Sequence, residues 1–242
     1  MAKPEGTPPP RGAHPNSLTT KTSPRVADLL GDSDVARKVR LALSRMSGIG
    51  DRSEHDYQEA LRELRTSTDS VARIAEVYQR LPLERRVERW SLIQLLADLR
   101  DPSAVGFLDS LLNTPMPGMA SEPPPHDDQS RLVPTSGLPH EVIILTTAIE
   151  AVTRLATDGD SAAGDILLKH TRHAVYSVRR AAIGGYLESH PDDGRAALEK
   201  VVTEGDRHLL DASRRDVREF PQPRPEFPPA KPDRHVVPPP HR

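Results

Sequence analysis

The chain has 242 residues, of which 36% are hydrophobic and 3% aromatic, and it contains 25 prolines and no cysteine. The lack of cysteine excludes disulfide frameworks, cysteine-ligated zinc, iron–sulfur clusters and thiol nucleophiles. The formal net charge of −2 provides no overall attraction to nucleic acid or to an anionic membrane. No apolar run approaches the roughly 20 residues needed to cross a bilayer, and the N-terminus lacks a signal-peptide core. We therefore expect a cytoplasmic protein that does not associate with membranes, and the excess of arginine over lysine is typical of GC-rich bacterial genomes.

Proline is concentrated in three segments, which are residues 4–24, 115–139 and 221–240. Segments of this composition bury too little apolar area to offset the entropy lost on ordering. The composition also allows a short helix near residues 26–30. The predicted organisation is a disordered segment over 1–32, a helical domain over 33–219 with an exposed Pro-rich loop over 114–139, and a disordered Pro-rich tail over 220–242.

Between the Pro-rich segments, apolar residues recur at the spacing of an amphipathic helix, and each run is bounded by a polar cap, glycine or proline. Asp32 or Ser33 is the candidate cap of the first run, and Ser53 and Thr68 are the candidate caps of the next two. Pro102 follows Asp101 at a first helical position. The predicted helices cover residues 33–46, 53–65, 68–80, 83–99, 103–113, 140–156, 161–170, 174–189, 192–203 and 206–219.

The apolar pattern repeats along the chain. Five positions from Ile144 to Val152 match five positions from Val178 to Tyr186 at a constant shift of 34 residues, and Leu111-Leu112 matches Leu167-Leu168 at a shift of 56. The larger shift equals one repeat plus an insertion about as long as the Pro-rich loop. Such periodicity is typical of stacked helix pairs, each of which is too small to bury an apolar face alone. We expect the helix at 174–189 to be the most deeply buried segment.

The segment VYSVRRAAIGGYLESHPDDGRAALEKVV, residues 175–202, resembles a HEAT repeat of the short bacterial type. Val178, Arg179 and Ala182 stand where that family has its V-R-x-x-A core, and the turns at 101–102 and 191–192 are similar to its inter-helix turns. The resemblance extends over about residues 83–219. It implies an all-α, right-handed α-solenoid of antiparallel helix pairs, in which Arg179 pairs with a turn carboxylate. Most HEAT proteins are binding scaffolds, although some are DNA glycosylases, chromophore lyases or relatives of hydroxylases.

The densest basic cluster is the main candidate binding site, and a solvated helix end is its structural alternative, because cations complement the partial negative charge there. His170 and His173 lie three residues apart without a clear third ligand, so we predict no metal site. The candidate binding residues of the cluster are Lys169, Arg172, His173, Arg179 and Arg180.

No G-x-S-x-G, P-loop or G-x-G-x-x-G motif is present, so the sequence indicates no catalytic residue and no cofactor. Val87 and Trp90 fall on the apolar face of the helix at 83–99 and are predicted to be core residues. Pro229, Pro232 and Arg234 form a P-x-x-P-x-R pattern in the tail, which is either a ligand for a polyproline-reading domain or part of a solvated tail.

These observations favour a non-enzymatic protein-interaction scaffold whose protein partner is unidentified. The alternatives are a nucleic-acid-binding or nucleic-acid-processing protein that uses residues 169–180, and a lyase or hydrolase for small molecules. A groove lined by Arg154, Arg172, Arg179 and Arg180 would favour nucleic acid, whereas arginines paired with carboxylates would favour the scaffold.

Overall fold

The computed structural model describes residues 23–48, 51–115 and 138–211. All regular secondary structure in these residues is helical, which confirms the predicted all-α class. Two segments are 3-10 helices, Pro102–Ala104 and Glu204–Asp211. The α-helices are α1 (Val26–Leu30), α2 (Asp34–Met46), α3 (Asp51–Arg65), α4 (Ser70–Arg80), α5 (Arg86–Leu99), α6 (Val105–Leu112), α7 (Leu138–Thr157), α8 (Ser161–His170), α9 (Tyr176–Ser189) and α10 (Gly194–Glu199).

Helix starts follow the predicted capping chemistry in part. Ser33 Oγ accepts a hydrogen bond from the Ala36 N–H at 3.1 Å, and Asp101 caps the 3-10 helix that begins with Pro102. The predictions for Ser53 and Thr68 are wrong, because α3 already begins at Asp51 and α4 begins only at Ser70.

The two ends of the predicted helical domain differ from expectation. Residues 23–32 are ordered and pack against the helical domain: α1 contacts α4, and the side chain of Leu30 is fully buried. Arg73 Nη2 fixes α1 by donating to the carbonyl oxygens of Leu29, at 3.0 Å, and Leu30. The predicted disordered segment 1–32 is thus too long, while residues 1–22, 116–137 and 220–242 lie outside the described residues. The predicted helix 206–219 is a 3-10 helix over the part that is described.

Helices α5 and α7 form the centre of the domain and run side by side in the same direction. Trp90 Nε1, in the second turn of α5, donates to Thr147 Oγ1, in the middle of α7, at 3.2 Å, and near the C-terminal ends of both helices Arg154 pairs with Asp98. The two residues of the second pair are 56 positions apart, which is the shift that the apolar pattern indicated. Both contacts hold the register in which the apolar faces of α5 and α7 meet.

Helix α7, and not α9, is the most buried segment among the described residues, so that prediction is wrong. Helix α7 packs against α5, α6, α8 and α9, whereas one side of α9 meets only the short α10 and the 3-10 helix that follows it. Ile183 of α9 accordingly belongs to a separate small apolar cluster with Leu198 and Leu209, apart from the main core. Burial of one such aliphatic side chain contributes about 1.5–3 kcal/mol. No helix of the described ranges combines the length and apolar character needed to span a membrane.

Candidate functional site

The predicted basic cluster lies around the turn that joins α8 to α9. Lys169 is in the last turn of α8, Arg172 and His173 lie in the connection, and Arg179 and Arg180 lie in the first two turns of α9. The sequence thus located these residues correctly at one end of two neighbouring helices. Their partners decide whether they are free to bind a ligand.

Lys169 and Arg172 are engaged within the protein. Lys169 Nζ lies 2.9 Å and 3.2 Å from the two carboxylate oxygens of Asp109 on α6. Arg172 Nε donates to the carbonyl oxygen of Val201 at 3.0 Å, which ties the α8–α9 turn to the segment after α10. Both cations therefore serve contacts between helical units.

Arg179 forms the most extensive set of contacts in the cluster. Its Nε lies 3.0 Å from Asp206 Oδ2, and its Nη1 donates to the carbonyl oxygens of His173 and Ala174 at 2.9 Å and 3.1 Å. The hydrogen bond from Arg179 holds the pKa of the Asp206 carboxyl below its usual value. The guanidinium also lies 5.6 Å from the ring centre of Tyr176. Arg179 is thus paired with a carboxylate of the 3-10 helix Glu204–Asp211 and not with one of a turn between helices.

The two histidines form a partly buried pair whose ring centres are 5.7 Å apart. His170 Nε2 lies 3.4 Å from Asp109 Oδ1, and His173 Nδ1 accepts the Val175 N–H at 3.0 Å. Burial lowers the pKa of both imidazoles below the ordinary value, and for His170 the neighbouring Asp109 opposes that effect. Across the described parts of the chain, no group of three or more His, Asp or Glu side chains is placed to hold a metal ion.

The remaining two arginines do not complete a cationic groove. Arg154 is paired with Asp98 and with Glu150, whose Oε1 lies 2.8 Å from its Nη2. Arg180 is exposed on α9 and has no hydrogen bond or ion pair with another described residue. Of the four arginines whose arrangement was to favour nucleic acid, Arg154 and Arg179 are paired with carboxylates, whereas Arg172 and Arg180 have no carboxylate partner within the described ranges.

Asp98 organises a closed polar cluster near the C-terminal end of α5. Its carboxylate accepts hydrogen bonds from Tyr57 Oη of α3 at 2.7 Å and from Gln94 Nε2 at 3.1 Å, in addition to Arg154. Burial, followed by the hydrogen bond to Asp98, raises the pKa of Tyr57. Because these groups satisfy one another across α3, α5 and α7, the cluster joins the three helices.

Two large apolar side chains are exposed on neighbouring helices. Val87, in the first turn of α5, is 71% exposed, and Ile143, near the start of α7, is 50% exposed. Ser91 Oγ donates to the Val87 carbonyl at 2.9 Å, and Thr147 Oγ1 donates to the Ile143 carbonyl at 2.8 Å. In both helices, the exposed apolar residue therefore lies four residues before a Ser or Thr whose hydroxyl donates to its carbonyl oxygen. The predicted burial of Val87 is wrong.

We call the exposed side of α5 and α7 that carries Val87 and Ile143 the open face. Trp90 lies in the seam between α5 and α7, partly buried against the core with its indole N–H satisfied by Thr147, so its prediction as a core residue holds in that sense. The shift of 56 residues pairs Val87 with Ile143, so the repeat itself contained the signal that these residues are equivalent. What the sequence did not show is that the shared position faces solvent.

Comparisons of this chain with protein-family models, with curated proteins and with solved structures gave no match. The tail motif of Pro229, Pro232 and Arg234 lies outside the described residues. The candidate sites are the open face and the basic cluster, in which Lys169 and Arg179 are paired with carboxylates while Arg172 and Arg180 have no carboxylate partner among the described residues.

Proposed function

We propose that this protein is a protein-interaction scaffold, built as a right-handed α-solenoid of HEAT-like helix pairs, and that it binds its partner on the open face. The exposed apolar pair of Val87 and Ile143 carries the proposal. Both side chains occupy equivalent positions on parallel, directly packed helices, so one partner can contact both. Recurrence of the same exposed position in neighbouring units is typical of the way repeat proteins build extended binding surfaces.

Energetics support a binding role for this pair. Neither Val87 nor Ile143 contributes much to the core, because most of each side chain is in contact with solvent. Transfer of such a side chain into an interface is favourable by up to about 1.5–3 kcal/mol. A partner that covered both would thus gain affinity without any rearrangement of α5 or α7.

The alternative function, binding or processing of nucleic acid through residues 169–180, has less support. Binding of a nucleic-acid backbone needs Lys or Arg side chains that are free to contact its phosphates. Lys169 is committed to Asp109 and Arg179 to Asp206, so binding of phosphate would first require these pairs to separate. Titration of labelled single- and double-stranded oligonucleotides by fluorescence anisotropy at two salt concentrations tests this alternative directly.

Affinity capture from the native host with quantitative mass spectrometry tests the scaffold. The bait is the full chain, compared with the Val87→Glu/Ile143→Glu variant and with the control Leu41→Glu, which places one carboxylate on an exposed apolar position of α2. We expect a specific protein to be retained by the wild type and the control and lost from the double variant. Equal recovery by all three baits would contradict binding through the open face.

A further inference from the structure

His173 joins two helical units at the turn between α8 and α9. Its Nδ1 accepts a hydrogen bond from the Val175 N–H at 3.0 Å, and Val175 is the residue immediately before α9. A further backbone hydrogen bond links the imidazole to Leu112, the last residue of α6. Because Nδ1 accepts, the proton of the neutral imidazole is on Nε2, which donates to the Leu112 carbonyl oxygen. One ring therefore connects the end of α6 to the beginning of α9.

The start of α9 depends on this imidazole for a side-chain acceptor. Val175 occupies the capping position, its side chain makes no capping hydrogen bond, and within α9, whose residues are all described, no acidic side chain lies in the first turn. Helix α2 differs, since Ser33 Oγ accepts the Ala36 N–H at 3.1 Å. A hydroxyl remains an acceptor at any physiological pH, whereas an imidazole nitrogen accepts only while the ring is neutral. The acceptor at the start of α9 is therefore sensitive to protons.

The second imidazole, that of His170 on α8, lies in a setting with more cations than carboxylates. It faces Lys169 of its own helix, His173 across the turn, and Asp109 of α6, whose Oδ1 lies 3.4 Å from its Nε2. Asp109 is already engaged by Lys169, whose Nζ lies 2.9 Å from the same Oδ1. A proton gained by either imidazole thus adds to positive charge that is only partly compensated.

Arg179 is the charged side chain of α9 that faces His173. Its Nη1 donates to the His173 carbonyl oxygen at 2.9 Å, and its Nε lies 3.0 Å from the carboxylate of Asp206. Burial lowers the pKa of His173 below the ordinary value, and the charge of Arg179 adds to this effect, while the hydrogen bond with Leu112 opposes it. The neutral ring is therefore the form that fits this turn.

We propose that His173 is a pH-sensitive switch, which holds the start of α9 to the end of α6 while it is neutral and releases it when it is protonated. Protonation makes Nδ1 a donor, and this donor then faces the N–H of Val175, which is also a donor. The hydrogen bond is lost, and the turn opens at Val175 and at the exposed residues Tyr176 and Ser177. Opening stops at Val178, because that side chain is fully buried in the main core. The switch uses no residue of the open face, so it does not depend on the proposed function.

Amide hydrogen exchange of the full chain, measured by NMR at about pH 7.5 and about pH 5, tests the switch on either side of the ordinary histidine pKa. Each rate is divided by the intrinsic rate at the same pH to give a protection factor. We expect the protection factor of the Val175 amide to fall at least about tenfold at the lower pH. The Ala36 amide, whose acceptor is the hydroxyl of Ser33, is the internal control and should keep its protection. Nitrogen NMR shifts of the His173 ring should show the proton on Nε2 at the higher pH.

His173→Asn is the matched variant, because an Asn side-chain oxygen accepts the N–H two residues later in an Asx-turn and does not titrate. Its Val175 amide should be equally protected at both pH values, whereas His173→Leu should leave this amide unprotected at both. His140→Asn replaces an exposed histidine outside this contact and should respond as the wild type does. A proton on Nδ1 at the higher pH, unchanged protection of Val175 in the wild type, or a pH response that persists in His173→Asn would overturn the proposal.

Discussion

Gly185 of α9 lies directly against Thr153 of α7, so closely that a Cβ added to Gly185 would overlap Thr153 Oγ1 and stand 3.2 Å from its Cβ. Thr153 cannot easily yield, because it is buried and its hydroxyl donates to the Ile149 carbonyl at 2.9 Å. Gly184, the preceding residue of the same helix, has open space at the corresponding position. There is thus no room for a side chain at Gly185, whereas the adjacent Gly184 has room for one.

We expect Gly185→Ala to destabilise the protein by about 1–3 kcal/mol, since the added methyl group forces α9 away from α7. Gly184→Ala should stabilise it by about 0.5–1 kcal/mol, because alanine loses less backbone entropy in a helix. Urea unfolding of the two variants provides the measurement. Midpoints that move in the same direction would contradict the close packing of α7 and α9 at Gly185.

The buried ion pair between Arg89 of α5 and Glu141 of α7 should be a second determinant of stability. Their side chains are 7% and 15% exposed, and Arg89 Nη2 also donates to Tyr78 Oη at 2.7 Å, where burial raises the pKa of the phenol to about 12. Glu141→Leu leaves the guanidinium buried without its counter-ion, which costs about 3–5 kcal/mol. Arg89→Met combined with Glu141→Leu should restore most of that loss. A double-mutant cycle, measured by urea unfolding, tests this coupling. If the effects of Arg89→Met and Glu141→Leu on the free energy of unfolding were additive, the ion pair would not contribute to stability.

Ala182 and Arg180 test the assignment of the two sides of α9. Ala182 is fully buried, whereas Arg180 is exposed. Ala182→Arg should destabilise strongly, because overpacking costs about 1–3 kcal/mol and an unpaired buried charge adds to it. Arg180→Ala should change the free energy of unfolding by less than about 0.5 kcal/mol. Thermal melts with similar midpoints for both variants would show that the buried side has been assigned incorrectly.

Stability should depend on pH through the histidine pair. Burial lowers the pKa of His170 and His173 in the folded protein, so the unfolded chain binds protons more readily below the ordinary value of about 6.5. The stability contributed by the neutral imidazoles is therefore present above about pH 6.5 and is lost as the pH falls through the folded pKa values. His170→Gln, which keeps a donor for Asp109, should flatten this loss as the pH falls below about 6.5.

The exposed His140 provides the control for that experiment, since His140→Gln leaves the pair intact. Free energies of unfolding from urea titrations at several pH values give both curves. A wild-type curve as flat as that of His170→Gln would show that the histidine pair does not respond to protons in this range.

Local features of the chain were readable from the sequence because each depends on neighbouring residues. The spacing of apolar residues determined the positions of most helices, Ser33 capped its helix as expected, and Pro102 opened one. Asp98 and Arg154, which pair across α5 and α7, are separated by the 56 residues that the apolar pattern indicated. For this pair of helices the one-dimensional pattern agrees with the register of their contact.

Only the tertiary structure decided which polar groups meet and which apolar groups remain exposed. Asp109 and Asp206 lie on segments far from Lys169 and Arg179 in sequence, so their ion pairs could not be read from the basic cluster itself. Arg89 is buried and Val87 is exposed on the same helix because two positions place them on opposite sides of α5, about 200° apart, and Arg89 contacts Tyr78 of α4 and Glu141 of α7. Periodicity identifies the residues that share a side of a helix, whereas the identity of what covers that side depends on contacts between distant parts of the chain.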